Sequence, residues 1–297
     1  SGDSIAVYPA QSLPPDVEEI VVDYTCRLGR ALDIKGFLNV QFVVYEGRVY
    51  VLEVNPRASR TVPFLSKVTG IPLIHLATQV ALGRPLLELG HGDGLFPPPP
   101  HVAVKMPVFS WSKLFSVDTS LGPEMKSTGE VMGIAATYGE ALVKAFLSGG
   151  FRLPRTGAVL ATVADRDKED VLPVMRTLYA LGYRIYATRG TAAFLAREGV
   201  KAEAVRRVSE PSPNLVDLIR EGVPDMVINT MTRGRAPERD GFRIRRAAAE
   251  YGIPVVTSLD TARAAVRALL SSRQGHVDGS WALQDYLAAA GVRGRGA

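Results

Sequence analysis

The sequence predicts a two-domain protein in which an α+β half is followed by an α/β half built on a doubly wound parallel sheet. Two patterns and the chain length support this fold class. A single β-hairpin with amphipathic helices around it dominates the first half, whereas strands and helices alternate through the second. The 297 residues are enough for two hydrophobic cores. We place the boundary after Gly149 and Gly150, which gives predicted domains of residues 1–150 and 151–297.

The first half begins with a predicted helix from Pro15 to Leu32, whose apolar positions recur at helical spacing. The strand-like runs FLNVQFVVY and RVYVLEV follow and predict a β-hairpin. A second amphipathic helix is expected from Ile71 to Leu82, before the Gly- and Pro-rich loop HGDGLFPPPPH. Beyond the loop we expect a strand at VAVKMPVF, an ordered but irregular loop at SLGPEMKSTGEVMG and a helix at TYGEALVKAFLSGG.

Alternating strands and helices begin at Thr156. The predicted strands are GAVLATVA, YRIYAT, KAEAV, DMVINT and IPVVTS. The predicted helices are residues 168–181, a stretch after Gly190, residues 214–221, residues 241–251 and TARAAVRALL. Repeated βα units with short connections predict an open parallel sheet with helices on both faces, and ligands bind such sheets beyond the carboxyl ends of the strands.

The composition excludes several classes of protein. The single cysteine, Cys26, rules out an internal disulfide, and the four histidines lie far apart without cysteine partners at zinc spacing. No apolar run reaches the roughly 18 residues of a membrane span, and the first residues lack a signal-peptide pattern. The net charge of +5 comes from scattered arginines without interleaved aromatics, which fits phosphate-bearing small molecules better than nucleic acid. We therefore expect a cytoplasmic protein without a membrane or nucleic-acid partner.

Three polar residues interrupt the apolar hairpin: Gln41, Glu53 and Asn55. Glu53 and Asn55 must point to the same face, because side chains alternate along a strand. Gln41 joins them only if it pairs with Glu53, which requires an odd loop, most simply the three residues 46–48. A two-residue turn would instead pair Gln41 with Leu52.

One carboxylate and two amide oxygens form a ligand set that Mg²⁺ accepts beside phosphate oxygens and water. Arg57 and Arg60 follow directly, and their forked donors can clamp phosphate or carbonate oxygens. This constellation suits phosphoryl transfer. In a purely structural alternative, Gln41 is an edge-strand residue, Glu53 pairs with an arginine and the NPR segment is only a turn. The spacing alone leaves both interpretations open.

The second half carries anion-binding groups at the predicted strand ends. The loop ATRGT enters a helix and offers hydroxyls, backbone N–H groups and a helix N-terminus, while Lys168 and Arg207 can neutralise an anion. The loop INTMTRG follows a later strand. These features predict a phosphate site on the parallel sheet. The alternative is that Thr188, Gly190 and Thr191 form a capped turn and bind nothing.

The run NVQF, the segment EVNPRASRTVPFLSKVTGIPL and then GPEMKSTGEVMG resemble the ATP-grasp unit of the carbamoyl phosphate synthase large chain, and the similarity continues to near the C-terminus. The resemblance implies a partial ATP-grasp domain in which Gln41, Glu53 and Asn55 bind Mg²⁺ or Mn²⁺ together with ATP, Gln41 and Glu53 also contacting the nucleotide. It also implies that Arg57 and Arg60 lie near the transferred phosphoryl group. The segment EVNPRASRTVPF resembles the second of the family's two ATP-grasp units, which phosphorylates carbamate.

The second half resembles the methylglyoxal-synthase-like allosteric domain that closes the same large chain, which implies binding of a nucleotide monophosphate such as UMP or IMP. The implied effector residues are Thr162, Lys168, Thr188, Thr191, Arg207, Asn229 and Thr232.

Two related activities are not expected. Asp3 and Thr257 match ornithine ligands of the family, but Ala103 and Val255 stand where a Glu and a Tyr would be expected. A methylglyoxal synthase needs catalytic His and Asp groups, and the only histidine after residue 150 is His276, which is remote from the phosphate loops in the sequence.

The resemblance implies the C-terminal part of a glutamine-hydrolysing carbamoyl phosphate synthase, an ATP-dependent ligase. Its expected partners are the glutaminase small subunit, the rest of the large chain and a UMP- or IMP-like effector. The upstream glycine-rich loop and lysines that grip the nucleotide are absent from the sequence, so the chain alone is expected to be inactive. Two alternatives stay open: a ligand-binding regulatory module, and another ATP-grasp ligase such as a carboxylase, which would explain the hairpin but not the terminal domain.

Overall fold

A computed structural model of the chain describes residues 3–92, 94–113, 118–122, 124–152, 154–231, 240–274 and 279–291. The chain divides into two units. The unit that we call the parallel-sheet unit comprises Ser1–Ala6 and Val104–Asp278, and the unit that we call the hairpin unit comprises Val7–Ala103 and Gly279–Ala297.

The elements alternate as the sequence patterns predict, with some additions. Up to residue 150 they are β1 (Ala6–Tyr8), α1 (Pro15–Ala31), β2 (Asn39–Tyr45), β3 (Arg48–Asn55), α2 (Thr61–Thr69), α3 (Leu73–Ala81), β4 (Val102–Val108), β5 (Gly129–Ala135) and α4 (Tyr138–Ser148). Beyond it they are β6 (Ala158–Thr162), α5 (Lys168–Ala180), β7 (Arg184–Thr188), α6 (Arg189–Arg197), β8 (Glu203–Val205), α7 (Leu215–Arg220), β9 (Met226–Asn229), α8 (Asp240–Glu250), β10 (Val255–Val256), α9 (Leu259–Arg273) and α10 (Leu283–Ala289).

The hairpin of β2 and β3 turns on two residues, Glu46 and Gly47, with φ angles of 48° and 72°. Positive φ at both central residues is the requirement of a type I′ turn, which matches the natural twist of the two strands. Tyr45 pairs with Arg48, so the predicted three-residue loop at 46–48 is wrong. Glycine at the second position carries its positive φ without steric cost.

A β-bulge further along the hairpin restores the register that the short turn would have lost. Gln41 pairs with Glu53, but its neighbour Phe42 pairs with Val51, so Leu52 is an extra residue in β3. The predicted pairing of Gln41 with Glu53 is therefore confirmed, although by a bulge and not by the loop. Without this extra residue, Glu53 would have faced the other side of the hairpin.

The five-stranded sheet of the parallel-sheet unit has the strand order β10-β9-β6-β7-β8, and each neighbouring pair is parallel. The first strand in sequence, β6, is central; the next two extend the sheet on one side and the last two on the other. This is the doubly wound order, with its reversal between β6 and β9. The predicted parallel α/β fold is confirmed.

Apolar packing around β6 explains why this strand is central. All its residues are buried, which requires covering on both faces and fits the uninterrupted run AVLAT. One core cluster joins Leu160 of β6 to Val227 of β9, Ile219 of α7 and Ile244 of α8. The helices therefore cover the point where the sheet reverses.

The packing units do not coincide with the boundary predicted at residue 150. β5 and α4 belong to the parallel-sheet unit, where α4 packs against both β5 and α9. α4 begins with a capping box, in which Glu140 N donates to Thr137 Oγ1 at 3.4 Å and Thr137 N donates to the Glu140 carboxylate at 3.2 Å. The units reflect packing, whereas the boundary at 150 reflects a change of sequence pattern and stays a prediction.

Several elements were missed in the sequence. β5 lies partly in the stretch that we expected to be an irregular loop, and it joins β1 and β4 in a sheet of order β1-β4-β5. α2 occupies part of the expected NPRASRTVPF connection, where Pro63 is tolerated because it stands in the first helical turn. β1 and α10 are only three and seven residues long, too short for a periodic signal.

Within the described residues, no helix is long and apolar enough to cross a lipid bilayer.

The contact between β5 and α4 generates a stability prediction. A Cβ atom on Gly133 would lie far inside contact distance of the Ala141 carbonyl oxygen and the Ala145 amide nitrogen, which are backbone atoms of α4. We therefore expect Gly133→Ala to lower the free energy of unfolding by about 2 kcal/mol or more, because the helix must shift to make room. Chemical denaturation followed by circular dichroism measures this loss.

Gly129→Ala is the matched control on the same strand, since a Cβ atom there has no neighbour within 4 Å. We expect a change within about 0.5 kcal/mol for this variant. Equal unfolding free energies for Gly133→Ala and Gly129→Ala would contradict the close approach of α4 to β5.

Candidate functional site

The hairpin presents a row of polar side chains on one face. Gln41 pairs with Glu53 and Asn39 pairs with Asn55, and residues directly opposite each other in an antiparallel pair point to the same side. The structure therefore brings the predicted triplet to one face and adds Asn39, which the sequence interpretation missed. The signal was present in NVQF, where Asn39 stands two residues before Gln41.

Hydrogen bonds hold the polar face in a defined arrangement. Asn55 Nδ2 donates to Glu53 Oε1 at 3.0 Å, and Arg57 Nη2 donates to Asn55 Oδ1 at 3.3 Å. Arg57 Nη1 also donates to the carbonyl oxygen of Ala58 at 3.0 Å. Arg57 thus contacts the predicted triplet directly, whereas Arg60 lies at the N-cap of α2.

The side chains of this face include the kinds of oxygen atom that a hard divalent cation prefers. Gln41, Glu53 and Asn55 supply one carboxylate and two amide oxygens, a set suited to Mg²⁺ or Mn²⁺. In the structure the Asn55 oxygen accepts from Arg57 and the amide nitrogen faces Glu53, so the amide must turn before its oxygen can join the Glu53 carboxylate around a cation. Among the described residues, no group of three or more His, Cys, Asp or Glu side chains could hold a metal, so a site here depends on the amides.

The residues predicted for the second site converge on the carboxyl edge of the parallel sheet. Thr162 is the last residue of β6, Thr188 of β7 and Asn229 of β9, and Arg207 follows β8 by two residues. Because the strands are parallel, these ends lie at one edge. Thr162 and Asn229 flank the reversal of strand order, which is where doubly wound sheets bind ligands.

Buried hydrogen bonds join the strands at this reversal. Asn229 Nδ2 donates to Thr162 Oγ1 at 2.5 Å, and both residues are buried. Thr230, also buried, accepts a hydrogen bond from Ala164 N at 2.8 Å. Thr230 was missed in the sequence, because a threonine directly after a strand is common in loops that bind nothing.

The start of α6 supplies the helix N-terminus that the sequence predicts. Thr188 takes the N-cap position, and its hydroxyl lies 3.1 Å from that of Thr191, which is 1% exposed. Lys168 Nζ donates to the Gly190 carbonyl oxygen at 3.3 Å and lies 2.6 Å from Asp165 Oδ1. The ammonium group is therefore held beside the first turn of α6.

Two cations, Lys168 and Arg207, act on the Asp165 carboxylate at this edge. The hydrogen bond from Lys168, its charge and, more weakly, the charge of Arg207 lower the pKa of the exposed Asp165 carboxyl group. Arg207 is further positioned through its backbone, whose N–H donates to Glu210 Oε2 at 2.6 Å. Both predicted cations thus act on the same carboxylate, and an anion bound at this edge would compete with Asp165 for Lys168.

The structure brings six of the seven predicted effector residues to one edge of the sheet: Thr162, Lys168, Thr188, Thr191, Arg207 and Asn229. The seventh, Thr232, lies outside the described residues, as does His276. The capped turn of the structural alternative is formed only in part: Thr188 takes the N-cap position and its hydroxyl contacts that of Thr191, but its side chain makes no capping hydrogen bond to the helix backbone. This contact does not exclude an anion site, which would use the same groups.

One buried residue at this edge had no signal in the sequence. Arg245 of α8 is 7% exposed, and its Nη1 donates to Asn229 Oδ1 at 2.8 Å. Its Nε and Nη2 donate to the two carboxylate oxygens of Asp118 at 3.0 and 2.8 Å. An arginine at the amphipathic margin of a helix is usually exposed, so its burial could only emerge from the packing.

Comparison with protein families gives two matches in chain order. Residues 1–89 match the family model described as "Carbamoyl-phosphate synthase L chain, ATP binding domain". Residues 170–257 match the model described as "MGS-like domain". The hairpin and its polar face lie in the first match, and four of the six described residues at the carboxyl edge of the sheet lie in the second.

Among solved structures, the chain is similar to the "Biotin Carboxylase domain of single-chain bacterial carboxylase" at 19% sequence identity and a TM-score of 0.38. The match covers 50% of this chain and 39% of that structure, so the chain spans well under half of the solved relative. A likeness at this level supports no functional conclusion. The two family matches carry the assignment: the chain combines part of the ATP-grasp, ATP-binding domain of the carbamoyl-phosphate synthase large chain with a following MGS-like domain, and its resemblance to the C-terminal part of that chain is confirmed.

Proposed function

We propose that the chain is the C-terminal part of the large subunit of a glutamine-hydrolysing carbamoyl phosphate synthase, an ATP-dependent ligase. The whole enzyme would make carbamoyl phosphate from bicarbonate, ammonia released from glutamine, and two ATP. The hairpin would contribute to phosphorylation of carbamate, and the parallel sheet would bind an effector. The observation that carries the proposal is the chain order of the two family matches, with the ATP-binding match at residues 1–89 before the MGS-like match at residues 170–257. The bulge at Leu52 supports the hairpin site, because it pairs Gln41 with Glu53.

At the hairpin, Gln41, Glu53 and Asn55 would hold Mg²⁺ or Mn²⁺, which neutralises the phosphate oxygens of ATP when it is bound. Gln41 and Glu53 are also our candidates for contacts to ATP itself. Arg57 now donates to the Asn55 amide oxygen at 3.3 Å, and this hydrogen bond would have to be released when Asn55 binds the cation. Arg57 and Arg60 would supply donors to the oxygens of the transferred phosphoryl group.

At the carboxyl edge of the sheet, we propose a site for a nucleotide monophosphate such as UMP or IMP. Thr188, Thr191 and the first turn of α6 offer hydroxyl and backbone donors, and Lys168 and Arg207 offer positive charge. Thr232 remains part of the proposal, although it lies outside the described residues. The position at the strand-order reversal supports a ligand role for these groups beyond that of a capped turn.

Exposed apolar residues on the hairpin support the rest of the large chain as a partner. The side chains of Val43, Val44, Tyr45, Tyr50, Val51 and Leu52 are all exposed. A two-stranded hairpin is marginally stable alone, and contiguous exposed apolar surface marks an interaction site. The glutaminase small subunit and a cytoplasmic location are further proposals, which rest on the family and on the low cysteine content.

A second candidate function is a regulatory module that binds its ligand without contributing to catalysis. The six described residues of the effector edge all lie in the parallel-sheet unit, which favours this possibility. Another ATP-grasp ligase, such as a carboxylase, would account for the hairpin but not for the MGS-like domain at residues 170–257.

Manganese binding tests the hairpin site. We expect Mn²⁺, measured by electron paramagnetic resonance in the presence of ATP, to bind the chain and to bind Glu53→Gln at least about 10-fold more weakly, since the variant removes the one carboxylate of the set. Glu46→Gln is the control, because it removes the same charge from the turn of the same hairpin. Equal affinities of the two variants would contradict the proposed ligand set.

Calorimetry with UMP and IMP tests the effector site. We expect at least one of the two nucleotides to bind and Thr191→Ala to weaken that binding about 10-fold, the effect of losing a hydrogen bond to a charged group. Thr261→Ala is the matched control: its hydroxyl lies 2.8 Å from that of Ser258 at the start of α9, the arrangement that Thr191 has with Thr188. No heat with either nucleotide, or equal losses in both variants, would count against the site.

A further inference from the structure

Arg245 connects the candidate anion site to a distant segment of the parallel-sheet unit. Its three nitrogen atoms donate to two residues: Nη1 to Asn229 Oδ1 at 2.8 Å, and Nε and Nη2 to the carboxylate of Asp118 at 3.0 and 2.8 Å. Arg245 and Asn229 are both buried, so these bonds form away from bulk water. The bond from Arg245 to Asn229 determines the direction of the next hydrogen bond, between Asn229 and Thr162.

The guanidinium group determines which way the Asn229 amide points. Arginine has five N–H donors and no acceptor, so only the amide oxygen of Asn229 can face Arg245. The amide nitrogen must then face the other way, and it donates to Thr162 Oγ1 at 2.5 Å. If Arg245 were absent, either end of the amide could face Thr162.

The direction of the Asn229 bond in turn sets the role of the Thr162 hydroxyl. A hydroxyl has one proton to donate, and Thr162 Oγ1 is already an acceptor from Asn229. Its own proton is therefore free to donate to another group. Thr162 ends β6 at the carboxyl edge of the sheet, and an ionised phosphate is rich in acceptor oxygens.

We propose that Arg245 is a positioning residue for the anion site: it orients the Asn229 amide so that the Thr162 hydroxyl presents its proton to a bound phosphate. The proposal rests on the nucleotide monophosphate site proposed above and names a residue that controls it. Arg245 itself does not touch the anion. It acts through Asn229, and this distinguishes it from the cations Lys168 and Arg207.

The other end of Arg245 ties the same site to the segment around Asp118. Asp118 Oδ1 also accepts a hydrogen bond from Ser120 N at 2.9 Å, and Lys126 Nζ donates to the Ser120 carbonyl oxygen at 2.7 Å. Occupancy of the anion site, which strengthens the orientation of Asn229, therefore also stabilises Arg245 on Asp118. By linkage, ordering of this segment favours anion binding to the same extent.

The contact between Arg245 and Asp118 is a fully charged pair. Burial by itself would raise the pKa of Asp118, but the hydrogen bonds from Arg245 and Ser120 and the charge of Arg245 outweigh it and lower the pKa below the usual value. Asp118 is consequently ionised at neutral pH. The net contribution of a partly buried ion pair to stability is small, because the cost of desolvating the two charges offsets much of their attraction.

Calorimetry with UMP on the 297-residue chain tests the positioning role. We expect Arg245→Met to weaken UMP binding about 10-fold, because one correctly directed hydrogen bond to the phosphate is lost. Arg246→Met is the matched control: Arg246 is the next residue of α8, equally buried, and its Nε donates to Glu250 at 2.7 Å. We expect UMP affinity within about 2-fold of the unaltered chain for this control.

A double-mutant cycle separates positioning from a general structural role. In an Asn229→Ala background, Arg245→Met should cause no further loss, because the amide through which it acts is gone. The proposal would be overturned if Arg245→Met lowered UMP affinity by the same factor in the presence and in the absence of the Asn229 side chain. If Arg245→Met does not fold by circular dichroism, Arg245→Lys takes its place, because lysine keeps the positive charge but lacks the forked guanidinium donors. We expect Arg245→Lys to weaken UMP binding less than Arg245→Met, and to cause no further weakening in the Asn229→Ala background.

Hydrogen exchange at the Ser120 amide tests the link to Asp118. We expect UMP to slow this exchange in the unaltered chain and in Arg246→Met but not in Arg245→Met. Exchange that slows equally in Arg245→Met would overturn the link. Absence of UMP binding by the unaltered chain would overturn the effector site and this inference together, whereas UMP binding that Arg245→Met leaves unchanged would overturn the inference alone.

Discussion

The hydrogen bond between Asn229 and Thr162 joins β9 to β6 at the point where the parallel sheet reverses its strand order. At this point the connections to the next strands leave in opposite directions, so side chains at the two strand ends are not covered by a crossing loop. The apolar cluster around Leu160 and Val227 holds the two strands in register beneath them. The candidate anion site at the carboxyl edge of the sheet depends on the pairing of β6 with β9, because Lys168 and Thr188 lie on elements that flank β6.

Both candidate sites orient an asparagine in the same way. Arg57 donates to Asn55 Oδ1 at 3.3 Å, and Arg245 donates to Asn229 Oδ1 at 2.8 Å. In each case the amide nitrogen then points away from the arginine, toward Glu53 or Thr162. A donor-only group beside an amide removes the ambiguity between its oxygen and nitrogen ends, so each polar network has a fixed direction. The network at the hairpin is exposed, and its arginine–amide hydrogen bond is longer than the one at the sheet edge.

The sequence predicted the residue types at the sites better than the contacts between them. Alternation along β3 was sufficient to place Glu53 and Asn55 on one face, and the βα pattern was sufficient to place Thr162 and Asn229 at one sheet edge. The bulge at Leu52 was not predictable, since an apolar residue in a strand carries no mark of being unpaired. Arg245 was not predictable either, because its partner Asp118 is more than a hundred residues away.

The sequence by itself determined the alternation of strands and helices in the second half, its parallel sheet, and most of the residues that meet at the two polar sites, because periodicity, turn residues and motif spacing are local properties. Only the tertiary structure decided the register of the hairpin and the direction of the hydrogen bonds at the sheet edge. A one-residue bulge changes which face a side chain occupies, and an amide turns according to the donor beside it. Both outcomes depend on a neighbour that lies on another strand or helix, and the local sequence contains no record of that neighbour.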